Sequence, residues 1–239
     1  MKNFYYEEVL TESYKELARF SKWLSKYHGN YPMIAGGWAV WAYTKGRGSR
    51  DIDVVFPTHE MMHKVLLNYF KYNGYQRVKG EFTENYVKKL RFAHKEDEIY
   101  IDACTQKDIS TSSYSKIRIP WGWAAKHSKL FRLKKQIYIY IPTKELLLVQ
   151  KMKALLDRTA AARQQPENAF AQAKALKDCY DIVSLISKGR INKKQFKKFL
   201  KLSGLNEYLT KVFEEIEARK EILDEFRTNI KKIKGKILL

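Results

Sequence analysis

Cysteine is almost absent. Cys104 and Cys179 are the only two in 239 residues, too few and too far apart for a disulfide framework or a cysteine-based zinc site, and they suit a reducing compartment. Long apolar runs are missing as well: nowhere do eighteen apolar residues follow one another, which excludes a membrane-spanning helix. The opening MKNFYYEEVLTESYKEL carries charges every few residues and no apolar leader, so a cytoplasmic protein with no membrane partner is expected. Five prolines and eleven glycines leave no Gly/Ser-rich or Pro-rich linker, and no internal repeat is present, so any domain boundary must be read from periodicity. Acids are scarce beside bases. Against 46 Lys and Arg stand 26 Asp and Glu, and the net charge of +20 disfavours cationic partners and favours polyanions, nucleic acid first and an anionic membrane surface second. What is plentiful is core material: 45% hydrophobic and 14% aromatic residues exclude a disordered chain.

The first half reads as mixed α and β. Apolar residues at Val9, Leu10, Tyr14, Leu17, Phe20, Trp23, Leu24 and Tyr27 recur every three or four positions and predict a helix over 4–27, ended by His28-Gly29-Asn30. A short apolar run at 32–35 leads into Gly36-Gly37 and a helix over 38–43 that stops at Gly46, giving strand, glycine turn and helix. The β-branched run 51–56 predicts a strand closed by Pro57. A helix over 59–71 and strands over 75–78, 87–93 and 98–103 follow.

Residues 105–136 hold eight Lys or Arg against the single acid Asp108, with Trp121 and Trp123 among them, and read as an irregular, candidate RNA-facing stretch. Its two tryptophans either stack on a base or pack the loop. A strand over 137–141 stops at Pro142. From there the pattern is helical, with Thr143 as N-cap, helices over 143–159, 167–188, 193–203 and 206–233, and Gly189 and Gly204 as stop signals. The expected fold is therefore α+β: a mixed sheet with flanking helices over 1–142 and a helical domain over 143–239.

Chemistry concentrates at two places in the first domain. Side chains two apart on a strand share a face, so Asp51 and Asp53 present two carboxylates side by side on a strand whose other residues are apolar. Unpaired buried carboxylates are costly, and a divalent cation is the natural counter-charge. Mg²⁺, with Mn²⁺ as an alternative, suits such all-oxygen ligation. Asp102, between Ile101 and Ala103 on a later strand, is the candidate third acid of a metal clamp for phosphoryl transfer. Gly36-Gly37 at a strand-to-helix turn permits close backbone approach, and the helix start aims free N–H groups at an anion such as a triphosphate. Arg47 and Arg50 flank the paired acids; Arg50 either holds phosphate or pairs with Asp51 or Asp53. His59 and His63 read as surface helix residues, and Trp38 and Trp41 as core.

The constellation of strand, Gly36-Gly37, helix, thirteen intervening residues and Asp51-Ile52-Asp53-Val54 resembles the nucleotidyltransferase fold of the DNA polymerase β superfamily over residues 34–55. Downstream, Lys151-Met152-Lys153-Ala154-Leu155-Leu156-Asp157-Arg158 and Lys177-Asp178-Cys179-Tyr180-Asp181-Ile182 resemble the helices of AbiEii-type toxin nucleotidyltransferases. The resemblance implies that Asp51 and Asp53 hold Mg²⁺, that Lys151 holds the nucleoside triphosphate, with Lys153 its neighbour as an alternative, and that Asp178 joins the active site. Many relatives carry Ser where Gly37 stands, and Ser49 is the candidate substitute for that hydroxyl. The implied activity is transfer of NMP from an NTP to RNA, a tRNA 3′ end in particular, by the toxin of a toxin–antitoxin pair with a cognate antitoxin protein. Two other readings are the same chemistry on a small hydroxylated molecule, as in aminoglycoside nucleotidyltransferases, which the basic charge disfavours, and a non-catalytic RNA-binding protein.

Overall fold

The computed structural model describes residues 5–78, 84–92, 95–114 and 116–238. The chain forms two compact units. One comprises Met1–Asp108 with Pro120–Thr143, and the other Ile109–Ile119 with Lys144–Leu239. A mixed sheet with flanking helices and a helical C-terminal region are both present, as the sequence predicts. Among the described residues no helix is long and apolar enough to cross a membrane.

The first unit is built on seven strands: β1 (Met33–Ile34), β2 (Asp51–Phe56), β3 (Gln76–Val78), β4 (Glu84–Phe92), β5 (Lys95–Thr105), β8 (Ser128–Lys134) and β9 (Ile137–Pro142), in the order β3-β4-β5-β2-β1-β9-β8. The short strands β6 (Ile109–Thr111) and β7 (Arg118–Pro120) pair separately. Strand β2 runs parallel to β5 and antiparallel to β1, and β1 runs parallel to β9. Four helices accompany the sheet: α1 (Glu7–His28), α2 (Gly36–Thr44), α3 (His59–Val65) and the short α4 (Gly122–Lys126).

Alternation along the strands divides the sheet into two different faces. Ile52, Val54, Ile99, Ile101, Ile139 and Ile141 are buried, and α1, α2 and α3 pack on β2 and its neighbours. Asp51, Asp53, Tyr100, Asp102, Tyr138 and Tyr140 alternate with them and remain half-buried. Helix α1 contributes Val9, Leu17, Phe20 and Leu24 to the core and ends at Gly29, whose left-handed φ of 63° lets its N–H reach Ser25 O. Trp38 is buried and donates its indole N–H to Ser13 Oγ at 3.0 Å, whereas Trp41 is half-buried beneath the Lys45 ammonium, 3.9 Å from its ring.

Three expectations for the first 143 residues are corrected. The stretch 105–136 is regular, not irregular: it holds β6, β7, α4 and β8. Strand β8 pairs with β9 from Ser128↔Pro142 to Lys134↔Ile137 at the sheet edge, where lysines protect unpaired backbone from other chains, so its charge disguised a strand. Thr143 does not cap a helix; its Oγ1 is buried without a hydrogen bond, and its N–H donates to His127 O. The helix expected over 59–71 leaves α geometry at Leu66, continues as a π turn and a 3₁₀ turn to Asn73, and closes at Gly74. Ala93, the expected end of one strand, lies outside the described residues.

The second unit contains α5 (Lys144–Gln164), α6 (Ala169–Ser187), α7 (Lys193–Ser203), α8 (Leu209–Glu217), α9 (Lys220–Glu225) and α10 (Ile230–Ile237). Asn168, Asn192 and Asn229 cap α6, α7 and α10 by accepting from the N–H three residues on. The single helix expected over 206–233 is thus a 3₁₀ turn followed by three helices, and the last break falls where Arg227 adopts a φ of 48° just before the Asn229 cap.

Candidate active site

Strand β1, a glycine corner, α2 and strand β2 form one continuous supersecondary unit. Register is set by Met33↔Val55 and Ile34↔Val54, and Ala35 N–H donates to Asp53 O at 2.9 Å. The chain then turns at Gly36 with φ 56° and enters α2. An ideal Cβ on Gly36 would lie 1.8 Å from Asp53 Oδ2 and 2.5 Å from its Cγ. The Asp53 carboxylate therefore fills the space a side chain at position 36 would need, and only glycine meets both the backbone and the contact. Gly37 is buried within α2, and Ser49 is buried in the loop before β2.

Asp53 is the register partner of Asp102 on the parallel strand β5, and Asp51 that of Tyr100. Residues in register on parallel strands face the same side, so Asp51, Asp53 and Asp102 project from one face of the sheet. Further along that face, Cys104 opposite Val55 is buried, and its thiol is pushed up by burial and then by the charges of Asp108, Asp53 and Asp102, which makes it a poor nucleophile. Met33, Ala35, Val55, Cys104 and Ala124 close this end as an apolar cluster, against which Trp121 and Tyr140 pack. Trp121 is accordingly a packing residue. The face is acidic at one end and apolar at the other.

Arg50 takes the pairing role that the sequence left open. Its Nε lies 3.4 Å from Asp51 Oδ1 and its Nη1 3.7 Å from Asp97 Oδ1, while the guanidinium sits 4.8 Å from the Tyr100 ring centre. Burial opposes its charge, but Asp51 with Tyr5 and Tyr100 outweighs that and holds its pKa above the ordinary value. Asp97 and Tyr100 had no sequence signal beyond lying on the Asp102 strand.

Lys151 and Asp178 are brought together in the helical unit. Lys151 Nζ lies 3.1 Å from Asp178 Oδ1 and 2.7 Å from Asp181 Oδ2; Arg158 Nη1 pairs with Asp178 Oδ2, and Lys177 Nζ is 3.3 Å from Asp181 Oδ2. The Asp178 side chain is fully buried, yet Arg158 and Lys151 overcome the desolvation and hold its pKa below the usual carboxylate range. Burial likewise opposes the Lys151 charge, and Asp181 and Asp178 overcome it and raise its pKa. Lys177 is shifted down, chiefly by burial. Arg158 and Asp181 stand in the quoted motifs, seven residues after Lys151 and three after Asp178, spacings that return to the same helix face. Lys153, the alternative phosphate ligand, pairs instead with Asp157 at 2.8 Å.

Among the described residues no three His, Cys, Asp or Glu side chains converge on a point that could hold a metal. Two carboxylates on one face do fit Mg²⁺, which binds through one or two protein carboxylates and completes its shell with water and substrate phosphates. His59 and His63 are exposed on α3 and form no such group, and His94 lies outside the described residues. Compared with known proteins, the chain matches no family model and no curated protein.

Proposed function

We propose that this protein is a Mg²⁺-dependent nucleotidyltransferase that moves NMP from an NTP to a hydroxyl of an RNA acceptor. A tRNA 3′ end is the acceptor, and the toxin of a toxin–antitoxin pair with a cognate antitoxin is the biological role. The observation that carries the reading is the Asp53 carboxylate seated against Gly36 at the start of α2, with Asp51 and Asp102 on the same sheet face. Acids beside a glycine corner combine a cation site with an anion-accepting helix start, which is what a metal-bound triphosphate requires.

Asp51 and Asp53 would hold Mg²⁺, which offsets phosphate charge and polarises the α-phosphoryl group. The amides of the first turn of α2 receive phosphate oxygens, and the corner fixes the triphosphate so that the acceptor hydroxyl meets the α-phosphorus in line. A bond forms between the acceptor oxygen and that phosphorus, the α–β bridging bond breaks, and pyrophosphate leaves. Asp102 takes the hydroxyl proton. Lys151 and Asp178, assigned to the active site by resemblance, serve each other first: a phosphate on Lys151 would compete with two carboxylates. The +20 charge supports an RNA acceptor over a cationic small molecule.

Incubation with Mg²⁺, each of the four labelled NTPs in turn and total tRNA tests the reading. Label is expected on RNA with the wild type, and Asp51→Ala is expected to lower it by a factor of at least about 10² with the unfolding midpoint unchanged. Retention of labelling by Asp51→Ala would discard the site; RNA binding with no label at all would make the chain a binding module.

A further inference from the structure

Charge in the helical unit is sorted by helix. No acid occurs between Ile182 and Asn206, a span containing α7, nor from Phe226 onward, a span containing α10. The acids Glu214, Glu215, Glu217, Glu221, Asp224 and Glu225 are gathered on α8 and α9. On α7, Lys194, Lys197, Lys198 and Lys201 are all exposed, and their spacing of three and four places them on one stripe. The opposite stripe, Phe196, Phe199, Leu200 and Ser203, is buried. Helix α10 repeats the design, with Lys231, Lys232 and Lys236 exposed and Ile233 and Ile237 buried. The two helices meet where Lys193 Nζ donates to Gly235 O at 3.3 Å. Among the described residues none of the seven exposed lysines has a carboxylate within ion-pair distance, in contrast to Lys116 and Lys153 of the same unit.

We infer that the lysine faces of α7 and α10 form a docking surface for the phosphate backbone of structured RNA. Seven uncompensated ammonium groups on two joined helices are strongly hydrated cations that gain by releasing the counterions of a polyanion. The four on α7 span about 10 Å along the helix, a length over which several phosphates of a stem can be met. A membrane surface suits the design less well. Amphipathic helices bind lipid by inserting an apolar face, and the apolar faces of α7 and α10 are already committed to the core of their own unit, with Leu202 the exposed large apolar side chain on α7. The surface belongs to the helical unit and Asp51 and Asp53 to the other; the inference rests on the proposed function only for the choice of RNA as the polyanion. Its role is to hold the body of the acceptor without reading its bases.

The test uses the full chain and a fluorescein-labelled tRNA transcript ending in a 3′-deoxynucleotide, so that binding is read without transfer. The variants are K194Q/K197Q/K198Q/K201Q on α7, K231Q/K232Q/K236Q on α10, and the control K22Q/K26Q/K71Q, which removes as many charges as the α10 variant from exposed positions of the sheet unit. Each patch variant is expected to lose about tenfold or more in affinity near 0.1 M salt, and to flatten the log–log salt dependence by up to about 3 to 4 for the α7 variant and about 2 to 3 for the α10 variant, since each phosphate contact contributes about 0.7–0.9. Unfolding midpoints should stay put, and the control should bind like the wild type. Wild-type affinity in both patch variants, or a loss no larger than the control's, overturns the inference. So does a loss of binding to phosphatidylglycerol-rich vesicles with RNA affinity intact, which would assign the surface to membrane. Asp51→Ala separates the two proposals. If no variant or wild type labels RNA while the patch variants still lose binding, the enzymatic reading fails and the surface stands; if Asp51→Ala stops labelling while the patch variants bind and label normally, the reverse holds.

Discussion

Gly36→Ala should unfold far more easily than the wild type and, under the proposed function, lose nucleotide transfer. Two effects add. A left-handed φ of 56° costs an alanine about 1–2 kcal/mol, and forcing a Cβ to within 1.8 Å of the Asp53 carboxylate adds an overpacking cost of about 1–3 kcal/mol. The carboxylate is the mobile partner, so it is the one displaced, and displacement removes it from the candidate metal site. Urea denaturation of the four proteins in the cycle wild type, Gly36→Ala, Asp53→Ala and the double variant isolates the contact. Once Asp53 is alanine, the glycine substitution should cost only its backbone share. Equal costs in both backgrounds would mean that the contact with Asp53 is not what position 36 serves.

A comparable loss is expected in the helical unit. Asp178→Asn leaves Lys151, Lys177 and Arg158 facing Asp181 as the remaining carboxylate of the network, and stranding buried positive charge in this way costs about 3–5 kcal/mol. Lys151→Met should cost less, because Asp178 keeps Arg158 and Asp181 keeps Lys177. Reversal of that order in denaturant midpoints would show that Lys151 is the organising charge. Acid sensitivity follows from the sign of the Asp178 shift. Its folded pKa lies below its unfolded value, so the unfolded chain takes up the proton first as pH falls; the stabilisation is complete above the ordinary carboxylate range, near 4, and is lost as pH drops through the folded pKa. The stability gap between wild type and Asp178→Asn should therefore be flat from neutrality to about pH 5 and narrow below about pH 4.

The parts of the molecule that were legible are those where one local signal had one meaning. The apolar run before Gly36, the paired acids in a β-branched strand and the Gly204 stop of α7 each match their elements closely, since backbone freedom, alternation and helix termination act over a few residues. The misread parts depend on partners distant in sequence. Strand β8 exists because β9 lies beside it, and its lysines, which suggested a loop, are what a sheet edge tolerates. Thr143 has the right chemistry for a cap but is buried where its hydroxyl meets no donor or acceptor. Asp51, Asp53, Asp102 and Gly36 were all named from sequence, and the common face of the three acids follows from alternation plus one strand pairing. Arg50 with Asp97, Arg158 with Asp178 and Lys151 with Asp181 needed the fold, because nothing in a linear pattern decides which of several charges a buried carboxylate will meet.

The membership of residues 109–119 has a practical consequence. Ser113 N–H and Oγ both donate to Asp157 Oδ1, Lys116 pairs with Glu207 at 2.9 Å, and the Lys116 carbonyl lies where a side chain on Gly204 would fall. A gene cut after codon 143 would therefore yield two damaged products: an N-terminal fragment trailing an orphaned excursion, and a C-terminal fragment stripped of the strap that crosses α5 and the α7 terminus. Supplying the excised stretch as a synthetic peptide should restore protease resistance to the C-terminal product, and workers dividing this chain should graft that stretch rather than trust a single cleavage point.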